Sequence, residues 1–306
     1  MSELLSMVDD YLKLRTSLGF KLERAHHLLP RFVEFLEHHD SPYITTELSL
    51  RWACMPTAVT RNWWFRRLSM VRLFARHVRA FDPRTEIPSP GLIPYEQLRS
   101  RPYIYSDEDI AALIPATETL RPTFRALTYR TLLSLLAVTG MRVGEAIALE
   151  RSDIDWDEAT LTIRQGKFGK TREVPVHGTA KRALWDYGFE RDRTIRPLNR
   201  PSFFVSRRGN GLIYKNVHFT FSQLRRRAGL DERRPRPRIH DLRHTFATRT
   251  LLSWYRSGLD VQVRLPLLST YLGHVSVNST YWYLTAIPEL LTLAGKRLER
   301  FREERA

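Results

Sequence analysis

The sequence predicts a mainly α-helical protein with one small β-hairpin, organised as two domains. Three observations predict it. Apolar residues recur at helical spacing from residue 1 to about 90. A proline-rich stretch, DPRTEIPSPGLIPYEQLRSRPYIY, then interrupts the periodicity, because Pro83, Pro88, Pro90, Pro94 and Pro102 lack an amide proton and disfavour helix. Beyond it, two arms of strand character, ATLTIRQ and TREVPV, flank the turn GKFGK. These features place a helical domain at 1–90, a linker at 91–105 and a second, mixed α/β domain at 106–306.

In chain order, Gly19 divides the apolar periodicity between Met1 and His39, which reads as helical. From Thr60 to Phe81, Trp64, Leu68, Val71, Ala75 and Val78 share one helical face. Arg61, Arg72, Arg76 and Arg79 lie beside that stripe, about 60–120° round from Trp64. Four arginines with no interleaved acid suit a helix lying along a phosphate backbone. Ser106 opens the second domain with a capping box, S-D-E-D, whose third helical residue is Asp109. TLLSLLAVTG reads as a buried helix ended by Gly140, with another helix from about Arg142 to Glu150. Helix resumes near Thr179 after the hairpin. The basic, proline-broken run from Arg225 to Arg238 reads as a loop.

Composition narrows the partners. The chain of 306 residues is 42% apolar, enough for real cores. Its 49 Lys and Arg against 33 Asp and Glu give a net charge of +16, which points to a polyanion. No apolar run approaches the roughly 18 residues of a spanning helix, and no secretory leader is evident, so the expected setting is cytoplasmic. A lone Cys54 excludes an internal disulfide and a cysteine-rich zinc site; it reads as a small packed residue.

Four motifs in the second domain carry chemistry. TGMRVGE puts Arg142 and Glu145 at a helix N-terminus, where the free amides favour an anion and arginine adds a two-pronged grip. The hairpin turn holds Lys167 and Lys170; a lysine there can reach a groove and protonate a leaving oxygen. HDLRHTFAT sets His240 and Arg243 three apart on one helical face, with His244 in a structural role. YLGH ends a helix at Gly273, and Tyr283 follows His274 by nine residues, beyond an Asn278/Ser279 cap. Tyr281 falls off that spacing, and Tyr271 reads as core.

The order of these motifs resembles the tyrosine recombinase, or phage integrase, family over residues 106–290. The resemblance implies a helical core-binding domain and a catalytic domain closing as a C-shaped clamp on double-stranded DNA. It implies Arg142 and Arg243 as phosphate-clamping residues and Lys167 as the general acid, five residues before Arg172, with Lys170 the alternative. It implies His240 and His274 at the proton-handling and hydrogen-bonding positions, Glu145 as an orienting acid and Tyr283 as the nucleophile. Arg61, Arg72, Arg76, Arg79, Lys170 and Arg172 are the expected DNA contacts.

Such chemistry needs fixed positive charge where the pentavalent transition state accumulates negative charge. Two arginines and a lysine supply it, so neither a metal nor another cofactor is expected. The resemblance further implies a 3′-phosphotyrosyl intermediate, rejoining without ATP and a tetramer on two duplexes. Leu290, Leu291, Leu293, Leu298 and Phe301 mark an amphipathic tail suited to docking on a neighbouring protomer. YWYLT, where Xer resolvases end differently, favours a mobile-element integrase or transposase. An Xer-like resolvase, a type IB topoisomerase and a non-catalytic DNA-binding protein are the alternatives.

Overall fold

In the computed structural model, the described residues are 3–96, 101–164, 171–196, 201–276 and 278–286, with Gly295 beyond them. The chain divides into two compact units, Met1–Arg99 and Ser100–Ala306.

The described residues of the first unit form four helices: α1 (Glu3–Ser17), α2 (Glu23–Glu37), α3 (Thr46–Cys54) and α4 (Arg61–Val78). Gly19, at φ +85°, turns the chain between α1 and α2 where a Cβ would be strained. Thr45 caps α3 by accepting the Leu48 amide. Leu29, Phe32, Val33 and Leu36 of α2 meet Leu68, Val71, Phe74, Ala75 and Val78 of α4 in one core. The expected α4 stripe is therefore buried, with Trp64 at its edge donating its indole N–H to the Pro56 carbonyl.

Residues 91–96, expected in the linker, pack with this unit instead. Ile93 is buried in its core, the Tyr95 ring lies 5.0 Å from Phe65, and the Glu96 backbone exchanges two hydrogen bonds with the Asn62 side chain. A proline-rich segment makes few bonds to itself, so its carbonyls take donors from the helix it runs along. Arg72 gives two, to the carbonyls of Pro88 and Ser89.

The second unit begins within the expected linker, since Tyr105 is already core; its amide donates to Thr245 Oγ1 and its hydroxyl to the Arg238 carbonyl. The Ser106 capping box then starts α5 (Asp107–Ala116). The long helix α6 (Thr123–Thr139) is buried on several sides and stops at Gly140, in the left-handed conformation at φ +62°. The short α7 (Val143–Ala148) follows. The expected hairpin is β2 (Thr160–Ile163) with β3 (Arg172–Pro175), pairing Leu161 with Val174 and Ile163 with Arg172. A third strand, β1 (Ile154–Asp155), pairs antiparallel with β2; at two residues it is too short for a periodic signal.

Next come α8 (Gly178–Thr194) and α9 (Tyr214–Arg227). The basic run expected as a loop from Arg225 is thus helical as far as Arg227. Asp231 gathers Arg225 and Arg236 and neutralises part of the run. Three helices complete the described fold: α10 (Asp241–Arg256), α11 (Val261–Leu272) and α12 (Asn278–Ala286). Ala247, Leu251, Leu265, Leu268, Leu272 and Tyr283 form their shared apolar cluster. Among the described residues no helix is long and apolar enough to cross a membrane.

Candidate active site

The candidate site forms where α7, β3, α10 and α12 meet the C-terminal end of α11. Helix α11 stops at Gly273, which takes φ +65° and turns the chain away. The last carbonyls of a helix lack intrahelical donors and carry the negative end of its dipole. Three arginines from three elements supply those donors at three consecutive residues. Arg172 Nε donates to the Tyr271 carbonyl at 2.8 Å, Arg243 Nη2 to Leu272, and Arg142 Nη2 to Gly273 at 2.9 Å.

A single carboxylate ties two of these arginines together. Glu145, its side chain 7% exposed, accepts Arg142 Nη1 at 2.6 Å and Arg172 Nη1 at 3.1 Å on Oε1. Its Oε2 accepts the Arg142 amide at 2.9 Å and Arg172 Nη2 at 2.8 Å. Burial opposes the charge, but hydrogen bonds from Arg172 and the Arg142 amide, with the two guanidinium charges, prevail and hold the carboxyl at about 2. Glu145 is thus ionised and fills its four acceptor positions.

Arg243 is buried, and its Nη1 donates to the Gly140 carbonyl at 2.8 Å. Burial and neighbouring Arg142 lower its pKa to about 10, which leaves it charged at neutral pH. The close approach of α10 explains a glycine at position 140, where a Cβ would lie 2.5 Å from the Phe246 ring. Arg142 and Arg243 each spend two N–H groups on this scaffold. A guanidinium has five, so both keep donors for an anion in an orientation already fixed.

Tyr283 is 3% exposed. Burial raises its pKa above the usual 10, opposed by the Arg243 charge, a hydrogen bond with Arg243, and the Arg142 charge. Its ring stacks on His274 and meets His244 edge-on, 5.4 Å between centroids. His274 Nδ1 sits 2.7 Å from Thr280 Oγ1. Burial, then the Arg243 and Arg142 charges, lower His274 to about 3. Burial and Arg243 lower His240 to about 4, while burial and neighbouring His240 lower His244 to about 3. All three rings are neutral at physiological pH.

The structure therefore brings together Arg142, Glu145, His240, Arg243, His274 and Tyr283. Lys167 and Lys170 lie outside the described residues, as do the tail positions Leu290, Leu291, Leu293, Leu298 and Phe301. Arg172, expected at DNA, points all three of its guanidinium nitrogens inward, and its side chain is 11% exposed. Its strand register carried the signal, because Arg172 shares a face with buried Val174. The α4 row is also less free than expected. Arg72 and Arg79 donate to carbonyls of their own unit and Arg61 pairs with Glu96 at 3.7 Å, whereas Arg76 is exposed with no bond among the described residues.

His244 and Asp241 are neighbours that the sequence reading left out of the site. His244 Nδ1 is buried with no partner among the described residues. Asp241, fully buried, accepts the amide and guanidinium of Arg238 and so secures the turn that delivers His240. Among the described residues no group of three His, Cys, Asp or Glu side chains is arranged to hold a metal ion.

A buried tyrosine beside the charges of a cationic cluster, with neutral histidines against it, has the chemistry that nucleophilic attack on an anionic ester requires. The chain belongs to the phage integrase family, the tyrosine recombinases, which are site-specific DNA recombinases; the family's model matches residues 105–289. It is 45% identical to the putative integrase/recombinase y4rB of Sinorhizobium fredii (strain NBRC 101917 / NGR234) over 100% of both chains. It is 28% identical to the tyrosine recombinase XerC of Staphylococcus aureus (strain MSSA476), over 71% of this chain and 68% of that one. The Tn1549 transposon integrase, solved in complex with transposon right end DNA, shares the fold at a TM-score of 0.67 and 14% identity, over 96% and 98% of the two chains.

Proposed function

We propose that this chain cuts and rejoins double-stranded DNA at specific sites through a 3′-phosphotyrosyl intermediate on Tyr283, for the integration, excision or transposition of a mobile element. The observation that carries the reading is buried Tyr283, stacked on His274 and set beside the charges of Arg243 and Arg142, in a cluster whose net charge is positive. The scissile phosphate sits on the free N–H groups of Arg142 and Arg243. Tyr283 Oη forms a bond to phosphorus as the bond to the 5′-oxygen breaks. The tyrosine proton passes to a neutral histidine, His240 or His274, and the leaving 5′-oxygen takes a proton from Lys167, or from Lys170 in its place. Each guanidinium stabilises charge that grows in the transition state, an effect worth about 10²–10³ in rate for a single donor.

Rejoining reverses these steps with a 5′-hydroxyl from a second strand. The phosphoester energy is kept in the tyrosyl bond, so the reaction draws on neither ATP nor a metal. The first unit serves as the core-binding domain, with Arg76 as a backbone contact. The tail after Ala286 docks on a neighbouring protomer in a tetramer on two duplexes. The transposon DNA in the Tn1549 integrase complex and the 45% identity to a putative integrase support the mobile-element reading.

The test is a nicked suicide substrate that traps the covalent adduct. The wild-type protein and Tyr281→Phe should give a denaturant-resistant protein–DNA band, and Tyr283→Phe should not. An adduct that survives Tyr283→Phe and disappears with Tyr281→Phe would overturn the assignment.

A further inference from the structure

We propose that Arg172 is a positioning residue of the active site, acting through Glu145 and the end of α11 to hold Arg142 and His274 where the reaction needs them. The inference rests on the proposed cleavage reaction and extends it to a residue outside the four motifs. Arg172 is the first residue of β3, paired with Ile163 in the sheet. Its guanidinium leaves the sheet and bridges two objects. Nη1 and Nη2 form a two-pronged pair with Glu145, and Nε donates to the Tyr271 carbonyl. That fork requires a planar guanidinium; an ammonium could satisfy one object and not both.

The consequence reaches Arg142 by two routes. Glu145 fixes the Arg142 guanidinium at Nη1, and the Gly273 carbonyl fixes it at Nη2. Arg172 secures both anchors, since it binds the carboxylate and the carbonyl two residues before Gly273. The packing confirms how close this contact is. A Cβ at Gly273 would lie 2.7 Å from Arg172 Nη1, so the glycine before His274 makes room for Arg172 as well as adopting a positive φ. His274 is the next residue, and its amide bonds back to the Ser269 carbonyl. The position of His274 therefore follows from where Arg172 and the α11 terminus settle.

Arg172 also sets the charge of the site. Glu145 carries one negative charge between Arg142 and Arg172, and Arg243 adds a third cation close by. With Arg172 present the four groups sum to two positive charges. Without it, Glu145 would neutralise Arg142 alone, and the phosphate would meet about half the charge. The groups that face Glu145 are Arg142 from its own turn, Arg172 from β3, Arg243 from α10 and His274 after α11. Removing Arg172 leaves a buried carboxylate with less to hold its proton off, so its protonation moves toward neutral pH.

The experiment measures the rate of adduct formation on the nicked substrate against pH, for the full-length wild type, Arg172→Gln, Arg172→Lys, Glu145→Gln and the Glu145→Gln/Arg172→Gln pair. Arg172→Gln should cut the rate about a hundredfold, the scale of a small displacement of catalytic groups. Its activity should also begin to fall at a higher pH than in the wild type as the solution is acidified, because Glu145 takes up a proton more readily. Arg172→Lys should retain the wild-type acid limb at a reduced rate. The pair should be no slower than Arg172→Gln, because both changes break one connection. If Arg172→Gln does not fold, Arg172→Lys decides the matter: a wild-type rate in it would overturn the inference. A wild-type rate in Arg172→Gln, an unmoved acid limb, or losses that multiply in the pair would overturn the inference while leaving the proposed function intact. A wild type that forms no adduct would sink the proposed function, and this inference with it.

Discussion

The rings of His274 and Tyr283 stack with centroids 6.1 Å apart and planes 22° apart, although nine residues separate them in the chain. Two turns of structure close that gap. Gly273 reverses the chain at the end of α11, and α12 begins at Asn278. Thr280 and Tyr283 then lie three apart on one face of α12, and His274 meets both, the hydroxyl at Nδ1 and the ring by stacking. The nine-residue spacing is thus the length of chain needed to bring a tyrosine back over the histidine that precedes it.

Thr280→Val keeps the shape of that face and removes the hydroxyl. His274 Nδ1 loses its partner, at a cost of about 1 kcal/mol, and the imidazole is no longer held at one angle. Denaturant unfolding should show the loss, and the adduct rate should fall while DNA affinity stays constant. An adduct rate equal to wild type would mean that the His274 orientation is set elsewhere.

The depressed pKa of Glu145 links stability to acid. Its folded value of about 2 lies below the ordinary 4.5, so the ionised form stabilises the fold above pH 4.5 and that contribution disappears as pH falls toward 2. The shift corresponds to on the order of 3 kcal/mol. Glu145→Gln should be less stable than wild type at pH 7, and the difference should shrink between pH 4.5 and 3. Melting temperatures across that range give the answer; a constant difference argues against a buried, ionised Glu145.

The histidines act in a higher window. His240, His244 and His274 titrate at about 4, 3 and 3 against an ordinary 6.5, because burial and nearby cations disfavour their charged forms. Their neutral forms stabilise the fold above pH 6.5, and that stability is lost as pH falls toward 4. His244→Phe removes one such group and an unpartnered buried nitrogen while keeping an aromatic ring against Tyr283. It should show a shallower loss of melting temperature from pH 6.5 to 4.5; a slope as steep as wild type would count against this account.

Gly273→Ala places a methyl group against the Arg172 guanidinium and a side chain at φ +65°. A left-handed conformation alone costs about 1–2 kcal/mol. The guanidinium must also shift, so the adduct rate should fall by more than the stability loss explains. Comparison with Gly229→Ala, which has φ +70° and open space around its Cβ, separates backbone strain from the Arg172 contact. Equal cleavage defects in the two variants would leave the contact without a role.

Arg72 and Arg76 should part company despite sitting one turn apart on α4. Arg72 binds the carbonyls of Pro88 and Ser89, so Arg72→Ala should lower the melting temperature. Arg76 makes no bond among the described residues; Arg76→Ala should leave stability unchanged and weaken DNA binding, with the salt slope falling by about 1. Competition binding at several salt concentrations reads the slope directly.

Much of the architecture was legible because its signals are local. Helical periodicity marked the buried stripe of α4, the S-D-E-D box marked the start of α5, and Gly140 and Gly273 marked helix ends, since each depends on residues within one or two turns. The two-residue β1 was too short to show, and residues 91–96 read as linker because proline content says nothing about which helix will receive their carbonyls. The bonding of Arg172 to Glu145 was hidden for a similar reason. A basic residue beside a hairpin turn suits DNA as well as it suits a buried carboxylate from another element.

What the sequence by itself determined was the identity and order of the candidate site residues: Arg142, His240, Arg243, His274 and Tyr283 in their motifs, with an excess of positive charge around them. What only the tertiary structure decided was which donors are already committed. Three arginines meet three successive carbonyls at Tyr271, Leu272 and Gly273, and Glu145 joins two of the three. The partners of those bonds lie as far apart as 131 residues in the chain. Hydrogen-bond complementarity between such distant groups depends on where α7, β3, α10 and α11 pack, and no local pattern encodes it.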